Sequence, residues 1–407
     1  MVTSSYFCEN TMKAQIVIGS NFGDEGKGMT VDYLASLDES SIVVRFNGGA
    51  NAGHTVHTPD CMHHIFSHFG SGTLLGRPTY LSKHFVVDPS AFVRECMKLV
   101  KLPVGCPKVF VDGNAYLATP FDVLINHVVE MARGEDRHGS CGFGINETVT
   151  RNLNSPGIAT TVNDLLSPND LRRKLLNIRY WYVNKRLEQL GVDYSDNVIH
   201  DNIIDEYMEQ CAIVLENIRI VSSPEFLKNY ETVIFEGAQG LLLDEHHRWF
   251  PHVTRSRTGI YNAVNILKEI GVTEAEVYYV SRSYLTRHGN GPLPNEVIGT
   301  IYEKITDPTN IPNKHQGSLR FAPLNFQLIQ ESIFNDLATV DGMTLYVNFV
   351  LTCVNQLPTF GVSYVNVDGE LVTDTTPVSL LNEINNLYPF VGCMASLGRT
   401  RVSFHQL

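Results

Sequence analysis

The sequence predicts an α/β fold, with a mainly parallel central sheet, flanking helices and one helical insertion. Three observations predict it. Continuous β-branched and aromatic runs recur between helical stretches, a glycine-rich turn joins the first such run to a helix, and residues 163 to 217 carry apolar positions at helical spacing. Unbroken apolar runs suit strands covered on both faces. Their alternation with helices argues for parallel pairing.

In chain order, the strand-like runs are AQIVIGS at 14 to 20, SIVVRF at 41 to 46, KVFVD at 108 to 112, TVIFEG at 232 to 237, EVYYVSRSYL at 276 to 285 and TLYVNFVLT at 344 to 352. The first leads through Gly23 to Gly28 into the helical stretch MTVDYLAS. The segment from Asn163 to Asn217, with DLRRKLLNIRYWYVNKRLEQL at its centre, reads as helices packed on the sheet. Segments 133 to 162, 286 to 296 and 306 to 323 are rich in Gly, Asn, Pro and Ser and read as loops. Without repeats or long linkers, residues 1 to 407 are expected to form a single domain with excursions.

With 407 residues, 43% hydrophobic and 18% charged, the chain can bury a large core. Its formal net charge of −12 argues against a nucleic-acid or anionic-membrane surface, because phosphate backbones demand clustered cations. Free nucleotides need only a few local cations. No apolar run approaches the roughly 20 residues of a membrane helix, and the opening MVTSSYFCENTMKAQ lacks the order of a signal peptide, so a cytoplasmic location is expected. Cys8, Cys61, Cys96, Cys106, Cys141, Cys211, Cys353 and Cys393 include no CxxC pair and are expected to be free thiols.

Two glycine-bearing turns carry the chemistry. In Gly23-Asp24-Glu25-Gly26-Lys27-Gly28, glycines let backbone N–H groups crowd onto phosphate oxygens, the following helix N-terminus favours anions, and Lys27 adds a positive charge. This resembles a phosphate loop without being GxxxxGK[ST]. The carboxylates inside it would repel phosphate unless Mg²⁺ intervenes or one serves as a base. The second turn, Arg45 to Thr55, reads RFNGGANAGHT after the next strand. Both turns would meet at the carboxyl edge of a parallel sheet, where such sheets place ligands. His54 there can protonate a developing oxyanion, whereas His63, His64, His68, His246 and His247 lack such a loop and default to surface or satisfied core.

The pair NFGDEGKG and VVRFNGGANAGHT, with FEGAQGLLLD at 235 to 244, FPHVT at 250 to 254 and SYLTRHGNGPLP at 283 to 294, resembles the adenylosuccinate synthetase family in residues and in order. The resemblance implies a ligase that phosphorylates a purine 6-oxygen and replaces it with L-aspartate. By this resemblance Asp24 is the general base, His54 the general acid and Lys27 the charge neutraliser, while the Asp24 carboxylate and the Gly53 carbonyl hold Mg²⁺. Gly23, Glu25, Gly26 and Gly28 would then bind phosphate, and Asn51, Gln239 and Thr254 would line the purine nucleoside monophosphate pocket. Ser140, Cys141 and Gly142 align with a phosphate-gripping loop. Arg151 aligns with an arginine that reaches the monophosphate across a homodimer interface.

Three departures bear on the substrates. A strand that ends in Leu-Thr-Lys-x-Asp in the typical member reads Leu351-Thr352-Cys353-Val354-Asn355 here, so the carboxylate that selects guanine in the triphosphate is replaced by an amide suited to adenine. The arginine-dense segment has become His315-Gln316-Gly317-Ser318-Leu319-Arg320-Phe321, leaving Gly317, Ser318 and Arg320 as the aspartate-binding candidates. The GSCGFG loop is also shortened. Together these resemble the phage branch of the family, which joins aspartate to dGMP with ATP or dATP as donor and would work in the host cytoplasm. The best-known members of that branch lack the catalytic Asp that this chain retains at Asp24. Two alternatives stay open: an ordinary synthetase using IMP and GTP, and a nucleotide-binding regulator without ligase activity.

Overall fold

The computed structural model describes residues 12–134, 142–192, 200, 202–306 and 318–407. Ten strands form the central sheet: Lys13–Gly19 (β1), Ser41–Arg45 (β2), Thr79–Leu81 (β3), Val109–Asp112 (β4), Ile218–Val221 (β5), Thr232–Gly240 (β6), Glu274–Arg282 (β7), Thr344–Thr352 (β8), Gly392–Ser396 (β9) and Phe404–Gln406 (β10). Their spatial order is β10-β9-β8-β7-β1-β6-β2-β3-β4-β5. Every pairing is parallel except the edge pair β9 and β10. The predicted sheet is therefore present, and each of the six strand-like runs contributes to it, although the run at 276 to 285 leaves it after Arg282.

The chain leaves β1, builds outward through β2 to β5, then returns to place β6 beside β1 and builds the other way from β7. Strand order thus reverses around β1, the crevice where open α/β sheets bind ligands. Register brings the ends of these strands level, Gly19 of β1 facing Gly240 of β6 and Val280 of β7.

Helix Lys27–Ser36 (α1) covers one face of the sheet, where Val31, Leu34 and Ala35 pack on Val17, Val43, Ile234 and Val280. The other face carries the largest apolar cluster, which includes residues of Tyr261–Glu269 (α8) and Phe326–Leu337 (α9). A separate cluster gathers at the β3 to β5 end. There Pro89–Leu99 (α2), Pro120–Arg133 (α3) and the insertion helices Pro168–Asn177 (α5), Val183–Gln189 (α6) and Ile203–Asn217 (α7) bury Phe92, Ile125, Leu171, Leu187 and Val214. Among the described residues no helix is long and apolar enough to cross a membrane.

Three expectations need correction. The 133 to 162 segment contains a full helix, Ile145–Asn154 (α4), whose buried Ile145, Thr148 and Arg151 give it an inner face despite its polar composition. The 306 to 323 segment ends in strand Arg320–Asn325, which pairs antiparallel with Tyr284–Arg287 in a smaller sheet. Cys96 and Cys106 are disulfide-bonded rather than free, because tight turns after α2 fold the chain back until their Cα atoms are 5.2 Å apart. Cys61, Cys211, Cys353 and Cys393 are free, and Cys8 and Cys141 lie outside the described residues.

Candidate active site

A cavity of about 630 Å³ opens at the carboxyl edge of β1, β2, β6 and β7. Its wall includes Gly23 to Gly28, Asn51 to Thr55, Gly142, Gln239 and Thr254, so most of the sequence-predicted residues converge on one space. Ser140, Cys141 and Gly317 lie outside the described residues.

The loop after β1 is shaped by its own carboxylate. Glu25 is 2% exposed and accepts from the backbone N–H groups of Asn21 at 3.0 Å and Gly23 at 2.8 Å, and from Lys27 Nζ at 2.7 Å. Room for that carboxylate comes from two glycines. A Cβ on Gly19 would lie 2.3 Å from Glu25 Oε2, and one on Gly240 would lie 2.6 Å from Glu25 Oε1. The Glu25 side chain thus serves the loop itself, taking up the N–H groups of Asn21 and Gly23. Lys27 lines the cavity with its ammonium already paired to Glu25. Gly26, at φ 91°, starts α1 without a side-chain cap, which leaves the first-turn amides for an anion.

Asp24 sits at φ 60°, a left-handed conformation uncommon for a residue with a side chain. It is pinned at two points: Arg282 Nε donates to its backbone carbonyl, and His288 Nε2 lies 3.1 Å from Oδ2. Burial would raise its pKa, but the hydrogen bond from His288 and the charges of Arg282, His288 and Lys27 outweigh that, so the carboxyl stays below its usual range. Asp24 is thus an ionised acceptor on the cavity wall.

His54 opens the short strand His54–His57 and is nearly buried. Its Nδ1 lies 2.5 Å from Glu236 Oε1, a carboxylate that also accepts from Ser71 N at 2.9 Å and from Ser71 Oγ. Burial pushes the Glu236 pKa up, yet His54, Arg45 and Ser71 bring it down to about 2. Burial in turn holds the His54 imidazole below its ordinary value. The pair therefore rests as an ionised Glu236 facing a neutral His54 with its proton on Nδ1. His54 Nε2 has no hydrogen-bond partner among the described residues. The same holds for Asn51 Oδ1, and both residues line the cavity, so each brings a buried polar atom that still wants a partner.

Gln239, at φ 64°, lies against Gly23 across the cavity floor. Asn47 holds this turn, accepting from Ala238 N at 2.7 Å and donating to the carbonyls of Ala238 and Arg257. Thr254 is fixed by its N–H to Leu243 O at 2.8 Å. Beyond β8, Thr352 Oγ1 donates to Glu25 O at 2.8 Å, and Asn355 follows, exposed on the turn Val354–Gln356, outside the cavity wall.

Two arginines make contacts other than those expected of them. Arg151 is fully buried. Its guanidinium grips Asp122 through Nε at 2.8 Å and Nη2 at 2.7 Å and donates to Ile158 O and Thr160 Oγ1, so within this chain it ties α4 to α3. The homodimer loses its residue-level support. Arg320 pairs with Glu296 and donates to Gly289 O and Gly291 O, holding a turn rather than presenting an open guanidinium, and Ser318 is exposed beside it.

Sequence reasoning passed over Glu236, Arg282, His288 and Arg287. Arg287 is 2% exposed, lines the cavity, stacks 4.7 Å over Phe22 and has an unpartnered Nε among the described residues. Among the described residues its other nitrogens donate to carbonyls, and burial with the nearby Arg320 charge lowers its pKa to about 10. A buried guanidinium without a carboxylate is a waiting anion site. SYLTRHGNGPLP contained both residues, but nothing in its spacing said which way they would face.

The sequence profile of the adenylosuccinate synthetase family matches residues 16–391. Among relatives, the adenylosuccinate synthetase of Chlorobium limicola is 35% identical over 74% of this chain and 69% of its own length. That of Pelodictyon phaeoclathratiforme is 31% identical over 99% of this chain and 92% of its own. The fold is shared with the fully ligated adenylosuccinate synthetase of Plasmodium falciparum, at TM-score 0.73 and 18% identity over 96% of this chain and 98% of the other. It is shared too with the cyanophage S-2L succinoaminodeoxyadenylate synthetase bound to dGMP and dATP, at TM-score 0.65 and 16% identity over 97% and 95%. By the reach of the family profile and the identity to these relatives, the chain belongs to the adenylosuccinate synthetase family of carbon–nitrogen ligases.

Proposed function

We propose that this ligase joins L-aspartate to C6 of dGMP, with ATP or dATP as phosphoryl donor. Asp24 takes the proton from N1, O6 attacks the γ-phosphorus and the nucleoside diphosphate leaves. The amino group of aspartate then attacks C6, and inorganic phosphate departs. His54 Nε2, without a hydrogen-bond partner among the described residues, faces the transferred phosphoryl, and Glu236 stabilises the imidazolium when that nitrogen carries a proton. Arg287 is the cation we assign to an aspartate carboxylate in place of Arg320.

The observation that carries the substrate choice is Asn355. A neutral amide stands where a guanine-reading carboxylate would, on the turn anchored to the phosphate loop through Thr352. On the acceptor, a guanine edge adds the 2-amino donor beside N1–H at the Asp24 carboxylate. The cyanophage protein of the same fold binds this nucleotide pair, a fold-level analogy in the same direction.

Mg²⁺ fits the oxygen donors available. Asp24, with its carboxylate, and Gly53 both line the cavity, and no cluster of three His, Cys, Asp or Glu stands among the described residues. Mg²⁺ commonly takes one or two protein oxygens and completes its shell with phosphates and water. Bound there, it would neutralise donor-phosphate charge.

The test is a matrix of IMP, GMP and dGMP against GTP, ATP and dATP, each with aspartate. Phosphate release that needs monophosphate and aspartate together, highest with dGMP and an adenine donor, supports the proposal. Preference for IMP with GTP would restore the ordinary synthetase that the relatives' names favour. Binding without phosphate release would indicate a regulator.

A further inference from the structure

We propose that His288 is a positioning residue for the reaction, one that aims the Asp24 carboxylate at the purine. The inference deepens the assignment of Asp24 as the base and rests on it. His288 follows the strand Tyr284–Arg287, and its Nε2 lies 3.1 Å from Asp24 Oδ2. Because an ionised carboxylate only accepts, the imidazole donates here. Arg282, at the end of β7, donates from Nε to the Asp24 backbone carbonyl. One short stretch of chain thus grips Asp24 at both its backbone and its side chain.

That double grip answers a mechanical need. Asp24 occupies a left-handed backbone position between Gly23 at φ 89° and Gly26 at φ 91°, in a loop rich in conformational freedom. A carboxylate on such a loop has several rotamers, and a misplacement of about 1 Å can cost on the order of 10²-fold in rate. The bond from His288 selects one rotamer by holding Oδ2. It leaves Oδ1 unclaimed among the described residues, as the oxygen offered to N1–H. Oδ2 keeps a second lone pair for a neighbouring donor on the same purine edge.

Steady-state kinetics of His288→Ala and His288→Gln, alone and combined with Asp24→Asn, test the idea. His288→Ala should lower kcat by about 10- to 10²-fold while KM for the monophosphate and for aspartate stays within about twofold. His288→Gln, which keeps a donor, should recover part of the loss. In the Asp24→Asn background, His288→Ala should add nothing further. Wild-type kcat in His288→Ala, or full additivity in the double variant, overturns the proposal while leaving the ligase assignment intact. A wild-type enzyme without aspartate-dependent phosphate release sinks the assignment itself. A crystal structure of His288→Ala reads the claim independently of turnover: the Asp24 side chain should leave its present rotamer while the Gly23 to Gly28 backbone stays, and an unmoved carboxylate refutes the proposal.

Discussion

Glu236 Oε1 lies 2.5 Å from His54 Nδ1, although 182 residues separate the two in the chain. The contact exists because β6 runs beside β2, so that the carboxyl end of one strand faces the loop that follows the other. It fixes the imidazole tautomer, with the proton on Nδ1 and Nε2 left without a partner among the described residues. Glu236→Gln is expected to lower kcat by about 10- to 10²-fold, the usual scale for losing a partner that orients a working histidine. It should also destabilise the fold, since buried Arg45 loses one of its two counter-charges and keeps only Glu95. Kinetics beside thermal melts check both halves. Unchanged kcat in a folded variant would reduce Glu236 to a structural anion.

Asp24→Asn should retain measurable nucleotide binding and lose about 10² to 10⁴-fold in turnover, the range of general-base contributions. Titration calorimetry and phosphate release distinguish the two properties. Turnover near the wild-type rate would remove Asp24 from the mechanism.

For Arg151→Ala, the burial of the Asp122 pair predicts a loss of stability, of about 3 to 5 kcal/mol, because one charge is left uncompensated inside the protein. Chemical denaturation measures it. If the variant is as stable as wild type and instead shows a raised KM for the monophosphate, the pair is not the structural tie described above.

A pH dependence of stability should trace to Asp336. This carboxyl is buried against Tyr279 Oη at 2.8 Å and Ile260 N at 3.0 Å, and burial, which those bonds only partly offset, raises its pKa from 3.8 to about 7. Between those values the native state keeps a proton that the unfolded chain has released. The stabilisation is complete below pH 4 and is lost as pH rises through about 7, by up to roughly 4 kcal/mol at 1.36 kcal/mol per unit. Melts of wild type and Asp336→Asn from pH 5 to 8 should diverge, with the flatter profile in the variant. Parallel profiles would show that Asp336 titrates normally.

Asn355→Asp should shift donor preference toward GTP, because a carboxylate can accept both the N1–H and the 2-amino protons of guanine. Competition between ATP and GTP in the phosphate-release assay reads the shift. No change would place the donor base elsewhere.

Much of this was legible in the sequence, for identifiable reasons. Strands covered on both faces announce themselves as unbroken apolar runs, and the Gly-rich turns after β1 and β2 do meet at one cavity. Asp24, Lys27, Asn51 and His54 lie within those turns. What sequence spacing could not show was direction. Glu25 and Arg151 lie in segments expected to touch ligand, yet the side chain of one folds back onto its own loop and that of the other onto Asp122. Arg287 and His288 face the cavity only because the strand Tyr284–Arg287 ends there. Helix α4 was hidden by its polar letters, since its burial comes from contacts with α3 rather than from an apolar stripe. The Cys96–Cys106 pair had no motif, only a tight fold-back after α2.

The cavity wall draws on two apolar cores: Phe22 belongs to the large cluster over the sheet, and Val129 to the cluster of the insertion. Both cores rest on one sheet, for Val44 of β2 lies in the first and Leu81 of the neighbouring β3 in the second. A ligand touching both walls is therefore carried by a single continuous framework, and the precision of its seat is that of the strands beneath it.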